Sequence, residues 1–469
     1  METINPYQLT TEGIQEPPTS FWERMKYVGP GFILSASIVG SGELIATTLV
    51  GAKAGFILMW FIIFSCMVKV AVQLEFGKHA ICYGESTMEA LNSLPGPRLG
   101  KANWSIWTWL IMMCAKMMQV GGIVGGVVLV LTYVFPILSV GQWQAMALLL
   151  VGASVSLLVY RGYYLLIEKA SLIMLGSFTL LTLASLVALQ YTDFAITADE
   201  LASGLIPSIP KDVALLLIAM GAFGITGVGG DEIMAYNYWL IEKGYARYTG
   251  PREDNDHWEQ RAKGWIRVMY WDAIMAMFAY TFMTVMFYLL GAAVLHRMGI
   301  APEGRELIAT LGKMYTQTLG SWARWLFLLG AIAVLYSTLF AALAAWTRMF
   351  ADAFGRIGLY DFTEPRARGR AIAVAAWVIP AIWALLYMIM EDAALMVIIG
   401  GLATVVILLI VVFAALYFRY FRADPRLLPP RWYDAWLWLS SLSIMLVAGM
   451  VLYNSVVVTA WQMLRGSTD

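Results

Sequence analysis

Apolar residues run along the chain in blocks of about 20, the length a helix needs to cross the hydrocarbon core of a bilayer. Blocks at 29–50, 56–76, 106–135, 143–160 and 164–189 predict five spans. A second group at 213–241, 265–295, 325–346, 371–390 and 395–418 predicts five more, and 436–453 predicts an eleventh. The chain divides accordingly into a polar N-terminal segment at 1–28, a first five-helix half at 29–190, a second at 212–418 and an additional transmembrane helix at 436–453.

Composition sharpens this to an all-α membrane protein. Of 469 residues, 60% are hydrophobic and 13% charged, about half the charge of an ordinary soluble domain. The 31 basic and 31 acidic residues cancel, which argues against a nucleic-acid partner and leaves the lipid bilayer as the main one. Cys66, Cys82 and Cys114 are too few and scattered for a disulfide framework and read as small buried hydrophobes. The first 26 residues lack the apolar core of a signal peptide. Between the spans about 22 Lys and Arg fall on the N-terminal side and about 7 on the other, so the N-terminus is expected in the cytoplasm. Eleven spans then place the C-terminus outside, in what reads as a bacterial inner membrane. The charged joint at 242–263 reads as a solvated cytoplasmic loop, and the isolated His79, His257 and His296 disfavour a histidine metal site.

The first and sixth spans stand apart. In the first, Gly40-Ser41-Gly42 precedes Glu43; in the sixth, Gly221, Gly224, Gly227, Gly229 and Gly230 precede Asp231-Glu232. Glycine costs about 1 kcal/mol inside a helix and accepts unwound backbone, so both clusters predict helix breaks. Interrupted helices at matching positions of two five-helix halves point to an inverted-repeat transporter. Close packing through small residues would explain either cluster alone.

A carboxylate within a bilayer is costly unless paired, protonated or facing water, which makes it a functional candidate. Glu43, Asp231 and Glu232 each follow a glycine cluster, and they are expected to face one central cavity together with Gly40, Ser41, Gly42, Gly227 and Gly230. Oxygen donors of this kind suit Mg, Ca or Mn; the same acids could hold an organic ammonium group. Lys69 with Gln73 in the second span, and Lys116 with Gln119 in the third, can snorkel or pair with the site carboxylates. Asp272 in the seventh span reads as a structural or gating partner.

The residues also carry a family resemblance across most of the chain. Gly29-Pro30-Gly31-Phe32, its spacing to Glu43, Gly51-Ala52-Lys53-Ala54-Gly55-Phe56, Gln73 and Trp271-Asp272-Ala273-Ile274-Met275-Ala276-Met277 resemble the Nramp divalent-metal transporters. The resemblance implies a LeuT-type fold of two inverted five-helix repeats plus an eleventh helix, with cargo held between broken helices 1 and 6. The departures fall in the site. Where the family has Asp-Pro-Gly-Asn, this chain has Gly40-Ser41-Gly42-Glu43; where it has Met-Pro-His, this chain reads approximately Gly230-Asp231-Glu232. The thioether that favours soft metals is missing, unless Met234 serves. The family's acidic proton path on helix 3, paired with an Arg on helix 9, is replaced by Lys116 and Gln119, and 371–390 holds no Arg. These losses are similar to those of the Nramp-related magnesium transporters.

The expectation is a transporter for a hard divalent cation, Mg or Mn, without family-type proton coupling, the cation being cargo and no cofactor being needed. Gly40-Ser41-Gly42 also looks like the helix break of amino-acid permeases, leaving a small organic solute open as cargo. A transport-dead scaffold is the third reading, and no nucleophile–base pair points to an enzyme.

Overall fold

The computed structural model describes residues 5–139, 141–161 and 164–454. Helices occupy all eleven expected positions. Among the described residues nine helices are long and apolar enough to cross a membrane, and the bent pair forming the first span makes a tenth. The fifth span is the helix Tyr164–Leu189. Several helices outrun their apolar blocks because capped polar turns extend them. The third starts at Trp104, where the Asn103 side chain accepts the Ser105 N–H, and the seventh starts at Asp256, where Asn255 accepts that of Trp258. The eleventh runs Arg431–Leu452 rather than from 436.

Between the seventh and eighth spans lies a helix the apolar pattern does not predict, Leu307–Leu319, which buries Leu307, Ile308, Leu311 and Met314 on one face. Its amphipathic stripe is too short and too polar to read as a span.

The surface confirms the solvent. Phe278, Leu329 and Leu446 are 67%, 65% and 62% exposed, an arrangement that is stable only against lipid. Trp143, Trp322, Trp325 and Trp432 stand exposed near helix ends, where indole rings sit at the headgroups. The chain is an integral membrane protein.

The two special spans differ in construction. The first is α1 (Pro30–Ile38), a wide π-helical stretch Val39–Thr47 and α2 (Thr48–Ala54), with a bend of 43°. The expected unwinding is thus corrected: the helix widens but keeps its hydrogen-bonded path. Its glycines serve close approach. A Cβ on Gly40 would collide with Thr338 of the eighth span, and one on Gly42 would lie 2.5 Å from the Ile225 carbonyl. Thr338 Oγ1 accepts the Gly40 N–H at 3.1 Å and donates to the Ala36 carbonyl at 3.1 Å, so the altered turns keep their backbone partners.

The sixth span breaks fully. Helix α3 (Val213–Ile225) ends, Thr226–Gly229 leave helical geometry, and α4 (Gly230–Lys243) begins. Gly227 has φ +61° and a Cβ there would lie 2.9 Å from Cys66 Cα, so glycine is required on both counts. Gly224 does the other job: together with Gly221 and Gly401 it lets α3 and the tenth span (Ala393–Tyr417) touch backbone to backbone.

Candidate functional site

The break in the sixth span exposes two helix ends of opposite polarity, and the chain meets each with opposite charge. At the carbonyl end of α3, Lys69 from the second span donates from Nζ to the Phe223 carbonyl at 2.6 Å and the Thr226 carbonyl at 2.5 Å. The ammonium also lies 5.1 Å from the centre of the Phe223 ring. Ser65, one helical turn earlier, donates to the Phe223 carbonyl at 3.1 Å and pairs with Thr226 Oγ1 at 2.9 Å. The N–H end of α4 carries Asp231 and Glu232 in its first turn, where carboxylates are favoured.

Asp231 forms a buried ion pair with Lys116 at 2.8 Å and accepts the Trp346 indole N–H at 3.0 Å. Lys116 in turn donates to Thr404 Oγ1 at 2.6 Å. Lys116 therefore neutralises Asp231, and among the described residues its hydrogen-bond and ion-pair partners are Thr404 and Asp231 rather than Glu43. Glu232 folds back toward Gly229 and interacts through its carboxyl with that of Asp231; its Oε2 has no donor among the described residues.

Glu43, fully buried on the π-helical stretch, reaches the same break from the first span. Its Oε1 accepts from Thr284 Oγ1 at 2.6 Å and from the Gly227 N–H at 3.3 Å. Its Oε2 is without a hydrogen-bond partner among the described residues. Lys69 and Glu232 both act on it electrostatically.

The expected single cavity takes a different form. A cleft of ≈ 10 Å³, room for about one water, is lined by Asp231 and Glu232 with Ile33, Leu34, Ser37 and Trp346. Glu43 is not among its lining residues; it lies against Thr284 and Gly227 instead. The reason is the intact first span: without unwinding, the π-helical stretch aims Glu43 at the break itself. Among the described residues no group of three or more His, Cys, Asp or Glu is arranged to hold a metal ion in this conformation. Five charged groups nevertheless converge here, three carboxylates and two lysines, all buried.

The other expected residues are placed as follows. Gly40 and Gly42 pack as described; Ser41 lies on the same stretch with its side chain outside the described part. Gly230 opens α4, where a Cβ would press on Ile407. Gln73 is buried with its side-chain oxygen unpartnered among the described residues, and Gln119 packs against Gly400. Asp272 caps the first span, accepting the Gly29 and Gly31 N–H groups at 2.8 and 2.7 Å and the Tyr236 hydroxyl at 2.9 Å. Met234 is buried and lies off the cleft.

Sequence reading missed Thr284, Ser65, Trp346 and Thr404, single polar groups in apolar runs without a spacing signal. It also gave Cys66 no role, yet its thiol lies 3.6 Å from Thr284 Oγ1, beside Glu43.

Away from the membrane interior, Glu85 accepts from His79 at 2.9 Å and from both terminal nitrogens of Arg422 at 2.8 and 2.7 Å. Partial burial pushes its carboxyl up, but these donors outweigh it and hold the value down to about 2.

Fold and site together define a transporter of the LeuT type, with two inverted five-helix repeats and a helix-6 break at its centre. The family model for natural resistance-associated macrophage protein-like (Nramp) proteins matches residues 31–460, and the chain belongs to that family. An uncharacterised protein of Pasteurella multocida is 24% identical over 78% of this chain and 79% of its own length. The divalent metal cation transporter MntH of Caldanaerobacter subterraneus is 26% identical over 67% of this chain and 68% of its own. Among solved structures, a variant of the Eremococcus coleocola manganese transporter aligns with a TM-score of 0.68 at 16% identity, covering 94% of this chain and 88% of that one. MhsT in complex with L-phenylalanine aligns at 0.61 and 14% identity, covering 92% and 100%.

Proposed function

We propose that this protein carries a hard divalent cation, Mg or Mn, across a bacterial inner membrane, with its N-terminus in the cytoplasm and its C-terminus outside, and without a cotransported proton. The carrying observation is the pair of buried, unpartnered carboxylate oxygens beside the helix-6 break, Glu43 Oε2 and Glu232 Oε2. An unpaired carboxylate oxygen in a low-dielectric interior is unfavourable, and a divalent cation is a partner that either could take. Family membership and the cargo of the MntH and manganese-transporter relatives support the same reading.

The lysines set the terms of binding. With Lys116 on Asp231 and Lys69 on the helix-end carbonyls, within electrostatic reach of Glu43, the unloaded site carries its own counter-charges. An entering cation has to outcompete them, which favours modest affinity and release. Oxygen donors without a thioether give Cd no advantage over Mg or Mn.

An organic solute with a carboxylate is a weaker fit. The Gly227 N–H, which such a group would use at the break, is already taken by Glu43.

The test is calorimetric titration of the purified protein with Mg, Mn, Cd and a panel of amino acids, followed by flux into proteoliposomes. Binding and flux of Mg or Mn with no Cd preference are expected. A strong Cd preference, or saturable binding of an amino acid alone, would contradict the reading.

A further inference from the structure

In transporters with broken helices, the carbonyl end of a half-helix is where a coupling cation is usually held. Here that end is filled by the chain itself. Lys69 Nζ lies on the Phe223 and Thr226 carbonyls, and the Ser65 hydroxyl bonds the same Phe223 carbonyl and the Thr226 hydroxyl beside it. Lys69 is 0% exposed and comes from a different helix, so its ammonium is delivered to the break by packing against α3, not by snorkelling to water. Glu43 and Glu232 add negative potential at the same point.

We propose that the Lys69 ammonium is a built-in monovalent cation: it occupies a latent Na⁺- or K⁺-sized site at the end of α3 and relieves the transporter of any need for an external monovalent coupling ion. Several features of the surround agree. Two helix-end carbonyls form a hard oxygen pair at the ammonium, with hydroxyls bonded to one of them and two carboxylates acting at longer range. The negative end of the α3 dipole points at the group. Removing the ammonium leaves two carbonyls of a broken helix facing a cavity, which a small cation of the right size can enter.

The lysine is thus a positioning residue: it holds the break open and balances its charge without touching cargo. This inference rests on the transport reading only for its flux arm; the binding arm stands alone.

The experiment compares full-length wild type, Lys69→Ala, which opens room, and Lys69→Met, which keeps the bulk and drops the charge. Melting temperatures are taken in choline, sodium, potassium and methylammonium chloride at one ionic strength. Wild type is expected to melt alike in all four. Lys69→Ala is expected to melt lower in choline and to regain several degrees in at least one of the small cations, as a bound ligand requires. Lys69→Met is expected to melt low in every salt, because its side chain blocks entry. In proteoliposomes, wild-type Mg or Mn flux should be indifferent to the monovalent salt. Flux of Lys69→Ala should fall by about tenfold or more in choline and recover with the cation that restores its melting temperature.

Lys69→Ala unresponsive to every cation, whether stable or unfolded throughout, would overturn the proposal. A wild-type flux that requires a sodium or potassium gradient would overturn it as well. If wild type moves no divalent cation at all, the proposed function fails while the melting data still judge Lys69.

Discussion

The first span bends by 43° and remains a helix, whereas the sixth gives up helical structure altogether over Thr226–Gly229. Both carry a glycine cluster followed by acid, and the difference lies in what presses on the glycines. Thr338 and the Ile225 carbonyl crowd Gly40 and Gly42, so those positions are small in order to admit neighbours. Among the described glycines of the two clusters, Gly227 is the one in a left-handed conformation, and there the helix ends. A true break needs compensation for its exposed backbone, and the sixth span has it: Lys69 on the carbonyls at one end, Glu43 on the Gly227 N–H, and acidic side chains in the first turn beyond, where the helix dipole favours them. The widened span is served by neutral hydroxyls, Thr338 across the helix interface and Thr47 on the Gly42 carbonyl. The charged groups thus gather at the break of the sixth span, and the first span contributes Glu43 to them.

Breaking the sixth-span network should have the largest effects. Lys116→Met leaves Asp231 a buried charge without its ion-pair partner, and an expected loss of about 3–5 kcal/mol in stability follows. Adding Asp231→Asn should recover much of that loss, a coupling readable in a double-mutant cycle by chemical denaturation in detergent. Additive losses would mean that the pair is not formed. Gly227→Ala forces a side chain into a left-handed backbone against Cys66 and should cost about 1–3 kcal/mol with loss of flux.

The widened span should be more forgiving. Thr338→Val removes one hydroxyl that both accepts and donates, for an expected loss of about 1–2 kcal/mol. If Thr338→Val proves as damaging as Gly227→Ala, the first span is under the same constraint as the sixth and the contrast fails.

The smallest effect belongs to a region outside both spans. Glu85 has its carboxyl held at about 2 against an ordinary 4.5, so it stabilises the fold fully above 4.5 and loses that contribution as pH falls toward 2. With its carboxylate partly solvent-screened, Glu85→Gln should cost about 1 kcal/mol at neutral pH and flatten the acid limb of a stability–pH curve between those values. An unchanged acid limb would remove Glu85 from the account.

Much of the architecture was legible because length and apolarity decide membrane spans almost by themselves. All eleven helices lie where the apolar blocks predict them, while the amphipathic Leu307–Leu319 and short connecting helices such as Thr87–Asn92 and Ala198–Leu205 escaped, since burial of one face is not written as a continuous run. The three carboxylates were legible for a similar reason: charge within apolar sequence is costly and stands out. Pairing was not legible. Nothing in the spacing of Lys69 and Lys116 says that one caps α3 and the other binds Asp231, because those contacts join helices more than a hundred residues apart. The state of the first span was hidden too, since glycine for flexibility and glycine for close approach look identical in sequence.

The central claim is that fixed lysine charges, not a mobile proton, balance the acids at the break while a divalent cation crosses. One measurement addresses it directly: proteoliposomes loaded with both a divalent-metal dye and a pH dye, given an inward Mg or Mn gradient. The expected result is metal entry without acidification of the lumen. Metal-dependent acidification that disappears in Glu43→Gln would contradict the claim.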